Sequence, residues 1–179
     1  EFENLGITVI DADSIAKEAS SQNSIAYTKI VDHFGNSILD DSMNIDRKKL
    51  RDIIFTDNSQ KKILESFLHP VIRENISSAV LASRSKYTII MVPLIYETKS
   101  MNQYDRILVI DCKEEIQLLR ASNRDNSSLE DIQKILQSQA TRQERLSIAN
   151  EVIINNSSFE TLREQVIQIH QTYMELTYE

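Results

Sequence analysis

The sequence predicts an α/β fold in which a parallel β-sheet is flanked by helices. Four short apolar segments rich in Ile and Val stand out along the 179 residues, at 7–10, 87–92, 106–110 and 151–154. Their apolar residues are continuous rather than alternating, which is typical of strands buried on both faces of a parallel sheet. Helical patterns separate the four segments, and ligands in such folds bind at the carboxyl ends of the strands.

A long insert separates the first two predicted strands. It contains helical patterns at 14–20, 24–34, 46–55 and 58–84, which is far more chain than a simple crossover needs. Asp46 is predicted to cap the third of these helices. The stretch before it, FGNSILDDSMN, predicts a turn or a short hairpin. We therefore expect a helical lobe between the first and second strands.

Two further helices are predicted after the third strand. They correspond to KEEIQLLRASNR and SLEDIQKILQSQ, and the polar linker DNSS joins them, with Ser127 or Ser128 as the cap of the second. The last predicted helix, SFETLREQVIQIHQTYMEL, has one apolar face that is expected to pack on the sheet. That face consists of Leu162, Val166, Ile169 and Tyr173.

Composition and charge exclude several classes of function. The net charge is −7, the pI is about 5.1, and charges of both signs are interspersed, which disfavours binding to nucleic acids or to membrane surfaces. No segment approaches the roughly 20 apolar residues of a membrane span, and the first residues lack the layout of a signal peptide. The single cysteine, Cys112, rules out an intrachain disulfide. The prediction is a cytoplasmic protein.

Two carboxylates follow the first predicted strand. Asp11 and Asp13 lie where a reacting hydroxyl could meet a general base or a hydrated Mg²⁺. The alternative is that one of them only caps the following helix. Both interpretations are compatible, because one carboxylate can cap the helix while the other faces a ligand. No zinc-ligand spacing and no Ser-His-Asp arrangement is predicted.

Two motifs have both a structural and a functional interpretation. His69 and Arg73 are spaced i and i+4, so they could share one helix face that binds an anion. The structural alternative is a His-Pro pair at a helix start, with Pro70 in the first turn. The segment from Pro93 to Glu97 is predicted to be either a turn that ends a strand or the wall of a pocket.

Arginines are concentrated in the second half of the chain. Arg120 and Arg124 are predicted to lie four residues apart on one helix, and Arg142 and Arg145 follow. Guanidinium groups bind transferring phosphates well because their charge is permanent and forked. The alternative is that these arginines are solvated or paired with nearby acids. Those acids are Glu114, Glu115 and Asp125.

Taken together, the chain resembles the dephospho-CoA kinase family over essentially all of its length. Six segments in order carry the resemblance: ITVIDADSIAKE, FGNSILDDSMNIDRKKLRDIIF, LHPVIREN, VPLIYE, YDRILVIDCKEEIQLLRASNR and QSQATRQERLSIANEVIINN. The resemblance implies a P-loop NTPase fold related to nucleoside monophosphate kinases. It implies one domain with a core (1–13, 85–112 and 150–179), a helical substrate lobe (about 14–84) and a lid (about 113–149).

The resemblance also implies an activity and its residues. The family transfers the γ-phosphate of ATP to the ribose 3′-hydroxyl of dephospho-CoA, the last step of coenzyme A synthesis. Asp13 is implied to be the catalytic carboxylate, and Asp11 to order Mg²⁺ through a bound water or to order the helix start. The residues implied to border the dephospho-CoA pocket are His69, Arg73, Pro93, Leu94, Tyr96 and Glu97. Those implied to close over the ATP phosphates are Arg120, Arg124, Gln139 and Arg142, and Asn155 is implied to lie near the adenine.

The sequence departs from the family pattern at three places. The family commonly has an arginine where Lys134 stands and an Ala-Asp pair where Ala149 and Asn150 stand. Family members begin with a strand and a G-x-x-x-x-G-K-[ST] loop, which these 179 residues, with only two glycines, do not contain. The opening EFENLG resembles the end of the helix after that loop, closed by Gly6. We expect about 20 more N-terminal residues in the natural protein, and little or no kinase activity without them.

Two other functions remain open from the sequence. One is a different nucleoside or nucleotide kinase of the same fold. The other is a non-catalytic module that binds a nucleotide or CoA. For the kinase, the expected partners are ATP, Mg²⁺ and dephospho-CoA, with neither nucleic acid nor membrane, and the expected state is a monomer or a weak homo-oligomer.

Overall fold

The computed structural model describes residues 1–177, which contain four β-strands and eight α-helices. The strands are β1 (Thr8–Asp11), β2 (Thr88–Met91), β3 (Leu108–Asp111) and β4 (Glu151–Ile154). The helices are α1 (Ala12–Ala19), α2 (Ile25–Phe34), α3 (Arg47–Thr56), α4 (Asn58–Ala82), α5 (Glu114–Asp125), α6 (Leu129–Gln137), α7 (Arg142–Ser147) and α8 (Phe159–Leu176). The predicted α/β class is confirmed, and the predicted strands and helices are found with only slight shifts of their ends.

The strands form two parallel pairs. β1 pairs with β2, so that Asp11 lies beside Met91, and β3 pairs with β4, so that Asp111 lies beside Ile154. The expectation that the strands are buried on both faces is wrong for Met91 and Ile110, which are about half exposed. The reason is that the helices packed on the two pairs, α1 and α4 on the first and α7 and α8 on the second, cover only part of each strand.

Residues 7–92 form one compact unit, with its own hydrophobic core. The core lies among α2, α3 and α4, and its buried members are Ala26, Ile30, Ile38, Leu39, Leu50 and Leu64. Burying each of the isoleucine and leucine side chains contributes about 1.5–3 kcal/mol. Asp46 caps α3 as predicted, because its carboxylate accepts from the backbone N–H of Lys48 and Lys49. An antiparallel bridge between Leu39 and Ile45 confirms the predicted turn before this helix.

The expectation that Pro70 lies in the first turn of a helix is wrong. Pro70 lies in the middle of α4, where proline costs about 3 kcal/mol because it lacks an N–H and crowds the preceding turn. The helix nevertheless continues, since Leu64, Phe67, Leu68 and Val71 on both sides of the proline pack into the core of this unit. Tertiary packing therefore outweighs the local propensity.

Residues 1–6 and 93–179 form the second compact unit. Ser128 caps α6, as predicted, by accepting from the N–H of Asp131. On α8, Val166 and Tyr173 are buried, which confirms the predicted apolar face, and the Tyr173 hydroxyl donates to Glu151 of β4 at 2.8 Å. Within residues 1–177, no helix combines the length and the apolar composition that a membrane span requires.

Candidate active site

Asp11 ends β1 and caps the N-terminus of α1. Its Oδ1 accepts from the backbone N–H of Asp13 at 2.9 Å and of Ser14 at 3.3 Å, and its Oδ2 accepts from the Ser14 hydroxyl at 2.9 Å. The Ser14 hydroxyl, followed by the two backbone N–H groups, lowers the pKa of Asp11 because these bonds favour the charged form. The predicted capping role is confirmed. The carboxylate is held in one orientation at the carboxyl end of the strand.

Asp13 has a different environment, although it lies only two residues further along. Its side chain is exposed in the first turn of α1, and within residues 1–177 its carboxylate accepts no hydrogen bond. It borders a surface hollow of about 290 Å³, together with Ala16, Lys17, Ser20 and Arg47. Asp13 is therefore the acid of the pair that is available to a ligand, while Asp11 organises the helix start.

The acidic pair has the donor chemistry that Mg²⁺ prefers, which is hard oxygen. No group of three or more His, Cys, Asp or Glu side chains suited to a metal occurs in the described part of the chain. A magnesium site does not require such a group, because Mg²⁺ often binds one or two carboxylates together with water and the phosphates of a substrate. Asp11 and Asp13 therefore fit a magnesium ion only when phosphate oxygens complete its coordination.

His69 and Arg73 are both exposed on α4 and share one face at the i, i+4 spacing. Neither side chain forms an ion pair or a hydrogen bond with another residue in the range 1–177. They belong to the same unit as Asp13, but they are not among the residues that line the hollow beside it. They form a separate pair of exposed side chains on the helix, and their nitrogen atoms are not used by other residues in the range 1–177.

The segment from Pro93 to Glu97 is a turn that follows β2, as one of the two interpretations predicted. Glu97 Oε1 accepts from the backbone N–H of Ala140 at 2.7 Å, and the Tyr96 hydroxyl lies 3.5 Å from Glu144. Pro93 and Leu94 are exposed. Glu97 and Tyr96 thus connect this turn to the segment that carries Gln139 and leads into α7.

Arg142 and Asp111 form a forked ion pair. The Nε and one terminal nitrogen of Arg142 donate to the two oxygens of Asp111 at 2.8 and 2.6 Å. Asp111 is only 5% exposed, whereas the Arg142 side chain is 57% exposed. The bonds from Arg142 lower the pKa of Asp111. Asp111 was not predicted as a site residue, although Val-Ile-Asp at 109–111 repeats Val-Ile-Asp at 9–11.

The structure brings one further predicted arginine to the same end of β3 and β4. Arg120 donates to the carbonyl of Asn155 at 2.7 Å, and the N–H of Asn155 donates to the carbonyl of Asp111 at 2.7 Å. Arg124 is instead paired with the adjacent Asp125, at 2.7 and 2.8 Å, one of the acids that the sequence offered. Arg120, Asn155 and Arg142 are therefore grouped around Asp111, while Arg124 is not.

Comparisons with known proteins identify what the chain is similar to. The family model for dephospho-CoA kinase matches residues 1–161. A dephospho-CoA kinase from Gamma-proteobacterium EBAC31A08 is 48% identical over 178 residues, covering 99% of this chain and 90% of the relative. A dephospho-CoA kinase from Idiomarina loihiensis is 41% identical, covering 99% of this chain and 88% of the relative.

Solved structures give the same result. A dephospho-CoA kinase from Campylobacter jejuni is 32% identical, with a TM-score of 0.66, and the match covers 94% of this chain and 86% of that one. A protein from Thermus thermophilus superposes with a TM-score of 0.82, covering 96% of this chain and 87% of that one. Its identity is 20%, so it shows the shared fold alone.

Proposed function

The chain belongs to the dephospho-CoA kinase family, and on that premise we propose which of its residues carry out the reaction. The protein is a phosphotransferase with an alcohol group as acceptor, and its reaction is the last step of coenzyme A biosynthesis. ATP donates a phosphate to the ribose 3′-hydroxyl of dephospho-CoA. This conclusion is supported by the similarity of nearly the whole chain to known dephospho-CoA kinases.

Asp13 is the general base that accepts the proton of the 3′-hydroxyl. A base must be within hydrogen-bond reach of the proton it takes and must have a free acceptor oxygen. Asp13 meets the second requirement, because it is exposed on a hollow and its carboxylate is not used by residues 1–177. Asp11 is less available, because three donors at the start of α1 already bind its two oxygens and leave Oδ2 room for only one further donor.

Asp11 orients the start of α1 and takes part in holding Mg²⁺ through a bound water. Its lowered pKa keeps it charged, and a charged carboxylate fixed by three hydrogen bonds is a suitable acceptor for a metal-bound water. When bound with ATP, Mg²⁺ would neutralise negative charge on the phosphates. Asp13 lies two residues away and is free to face the acceptor hydroxyl.

The remaining predicted residues divide into a substrate group and a phosphate group. His69 and Arg73 on α4 supply exposed donors for the substrate, and Pro93, Leu94, Tyr96 and Glu97, in the turn after β2, also contribute to substrate binding. Arg120 and Arg142 supply guanidinium groups to the ATP phosphates, Gln139 lies just before α7, and Asn155 lies near the adenine. Arg124 contributes less, because it binds the adjacent Asp125 and is not grouped with Arg120 and Arg142 around Asp111.

The helices between β1 and β2 act as the substrate lobe, and α5, α6 and α7 act as the lid. The lid assignment rests on the arginines that these helices carry and on the linker at Ser127 and Ser128 between α5 and α6. A lid of this kind excludes water from the transferring phosphate. We also propose a cytoplasmic location, which the single cysteine favours.

The test is ATP-dependent phosphorylation of dephospho-CoA by the full-length protein and by its Asp13→Asn variant. Loss of a general base lowers kcat by roughly 10²- to 10⁴-fold, while the dissociation constant of dephospho-CoA changes little. Glu18→Gln is the matched control, because Glu18 is exposed on the same helix but does not line the hollow. An Asp13→Asn variant that turns over at the wild-type rate would remove Asp13 from this role.

A substrate panel separates the alternatives. Dephospho-CoA should outcompete mononucleotides as the acceptor. Preference for a mononucleotide would indicate a different kinase of this fold. Binding of dephospho-CoA and ATP without transfer would indicate a non-catalytic module.

A further inference from the structure

A glutamine side chain binds the backbone at the carboxyl end of β4. β4 pairs with β3 on one side, and residues 1–177 place no strand on its other side. Gln165 of α8 binds both polar backbone groups of Ile154, the last residue of β4. Its Oε1 accepts from the N–H at 2.8 Å, and its Nε2 donates to the carbonyl at 2.9 Å. A side-chain amide has the donor and the acceptor of a peptide group, so Gln165 forms the pair of bonds that a neighbouring strand would form.

The orientation of the Gln165 amide is set by a third hydrogen bond. Its Nε2 also donates to the carbonyl of Thr161, one helical turn earlier, at 3.3 Å, and the side chain is half-buried. The reversed amide would place its nitrogen against the N–H of Ile154 and its oxygen against two carbonyls. Only one orientation therefore satisfies all three bonds. Gln165 is a fixed link between α8 and the end of β4.

This link continues to Arg120 through the next residue of the chain. The N–H of Asn155 donates to the carbonyl of Asp111 at 2.7 Å, and the carbonyl of Asn155 accepts from Nη1 of Arg120 at 2.7 Å. Ile154 and Asn155 thus use all four of their polar backbone groups. Arg120 is exposed on α5 and forms no ion pair with any residue in the range 1–177. One contact with this backbone orients its guanidinium, and the other N–H groups face outward.

We propose that Gln165 is a positioning residue for ATP binding. It fixes the backbone of Ile154 and Asn155 and so holds the carbonyl that orients Arg120. This inference rests on the proposed function, which assigns Arg120 to the ATP phosphates. A guanidinium that is already oriented binds phosphate more tightly, because a free arginine side chain must first lose its rotamer freedom. Gln165 acts through Arg120 and need not touch either substrate.

Three variants of the full-length protein test the inference. Gln165→Met keeps the length and the approximate volume of the side chain but removes its donor and its acceptor. Gln168→Met is the matched control, because it makes the same change at an exposed residue of the same helix. Gln165→Glu keeps an acceptor for the N–H of Ile154 and replaces the donor with an oxygen. It tests the inference by a second route, including the case in which Gln165→Met does not fold.

The measurements are the KM values for ATP and for dephospho-CoA and the dissociation constants of both, by titration calorimetry with Mg²⁺ present. Gln165→Met and Gln165→Glu should raise the KM and the dissociation constant for ATP roughly five- to tenfold, because Arg120 loses its fixed orientation. The values for dephospho-CoA, and all values for Gln168→Met, should stay within about twofold of wild type. A purely structural contact would lower resistance to denaturant without changing the KM for ATP selectively.

A double-variant cycle shows whether Gln165 acts through Arg120. Arg120→Ala alone should raise the KM for ATP, and adding Gln165→Met should raise it by less than about twofold more. If Gln165→Met and Gln165→Glu both leave the KM for ATP within about twofold of wild type, or if the effect of Gln165→Met is undiminished beside Arg120→Ala, the inference is overturned and the proposed function stands. If the wild-type protein does not phosphorylate dephospho-CoA, the proposed function fails and the inference fails with it.

Discussion

Arg142 and Asp111 are joined by two parallel hydrogen bonds, at 2.8 and 2.6 Å, across 31 residues of sequence. The carboxylate is buried at the end of β3, while the guanidinium stands at the first position of α7 and remains more than half exposed. A buried, forked acceptor fixes the plane of the guanidinium. Asp111 therefore acts as a positioning residue for the arginine that we propose to bind the ATP phosphates.

The first prediction concerns stability. Asp111→Asn should lower the free energy of unfolding by about 1–3 kcal/mol, because it removes the charge from the acceptor of two charge-assisted bonds, and the exposure of Arg142 keeps the loss below that of a fully buried pair. Denaturant unfolding measures it. Asp125→Asn is the matched control, since its pair with Arg124 is exposed, and should cost at most about 0.5 kcal/mol. Equal losses for the two variants would contradict the role of burial.

The second prediction separates positioning from stability. Asp111→Asn should raise the KM for ATP by roughly tenfold and change the KM for dephospho-CoA much less. Arg142→Ala should do the same, and the double variant should be little worse than Arg142→Ala alone, because the two residues act on ATP through one contact. Additive effects in this cycle would show that Asp111 does not act through Arg142.

The third prediction concerns acid. The pKa of Asp111 is lowered in the folded protein, and the hydrogen bonds from Arg142 are the largest cause. At pH values between this lowered pKa and the unfolded pKa of about 3.9, the unfolded chain binds more protons than the folded protein does. The stability from this carboxylate is complete above the unfolded pKa and is lost as the pH falls through the folded pKa. The difference in unfolding free energy between wild type and Asp111→Asn should be constant above about pH 5 and shrink at lower pH. A difference that is independent of pH would show that the charge of Asp111 is not responsible.

Local signals in the sequence predicted most of the fold. Continuous Ile and Val runs located the strands, and short polar residues such as Asp46 and Ser128 located the helix starts, because both signals act over a few residues. The partner of Arg142 could not be found this way. Asp111 is 31 residues from Arg142, and the sequence offered Glu114, Glu115 and Asp125 as partners for the arginines. Only the tertiary structure selects Asp111 instead. Pro70 shows the same limit, since long-range packing overrides a local helix breaker.

The fourth prediction concerns the link between Glu97 and Ala140. Glu97 accepts a hydrogen bond from the backbone N–H of Ala140. Ala140 lies just before α7 and is only 7% exposed. Glu97→Ala removes the acceptor of this buried N–H, at a cost of about 1–3 kcal/mol, and the Ala140 amide should exchange with solvent roughly 10- to 100-fold faster. Glu97→Gln keeps an acceptor oxygen and should restore most of the protection.

Hydrogen exchange read by NMR at Ala140 makes the measurement. The amide of Glu144, which donates to the capping hydroxyl of Thr141, is an internal control and should change much less. If Ala140 exchanges at the same rate in Glu97→Ala and in wild type, the turn after β2 does not hold the segment that leads into α7.

The last prediction concerns Pro70, which interrupts the hydrogen bonding of α4 beside His69. Pro70→Ala restores an N–H that can donate to the carbonyl of Ser66 and removes the crowding of the preceding turn. This gain is partly offset because alanine increases the conformational entropy of the unfolded chain, which costs about 0.4–1 kcal/mol of stability. The free energy of unfolding should therefore rise by roughly 1–2 kcal/mol. Ser77→Ala, at an exposed interior position of the same helix, controls for the propensity of alanine and should gain at most about 0.5 kcal/mol. A Pro70→Ala variant that is less stable than wild type would show that the packing of Phe67 and Val71 depends on Pro70 itself.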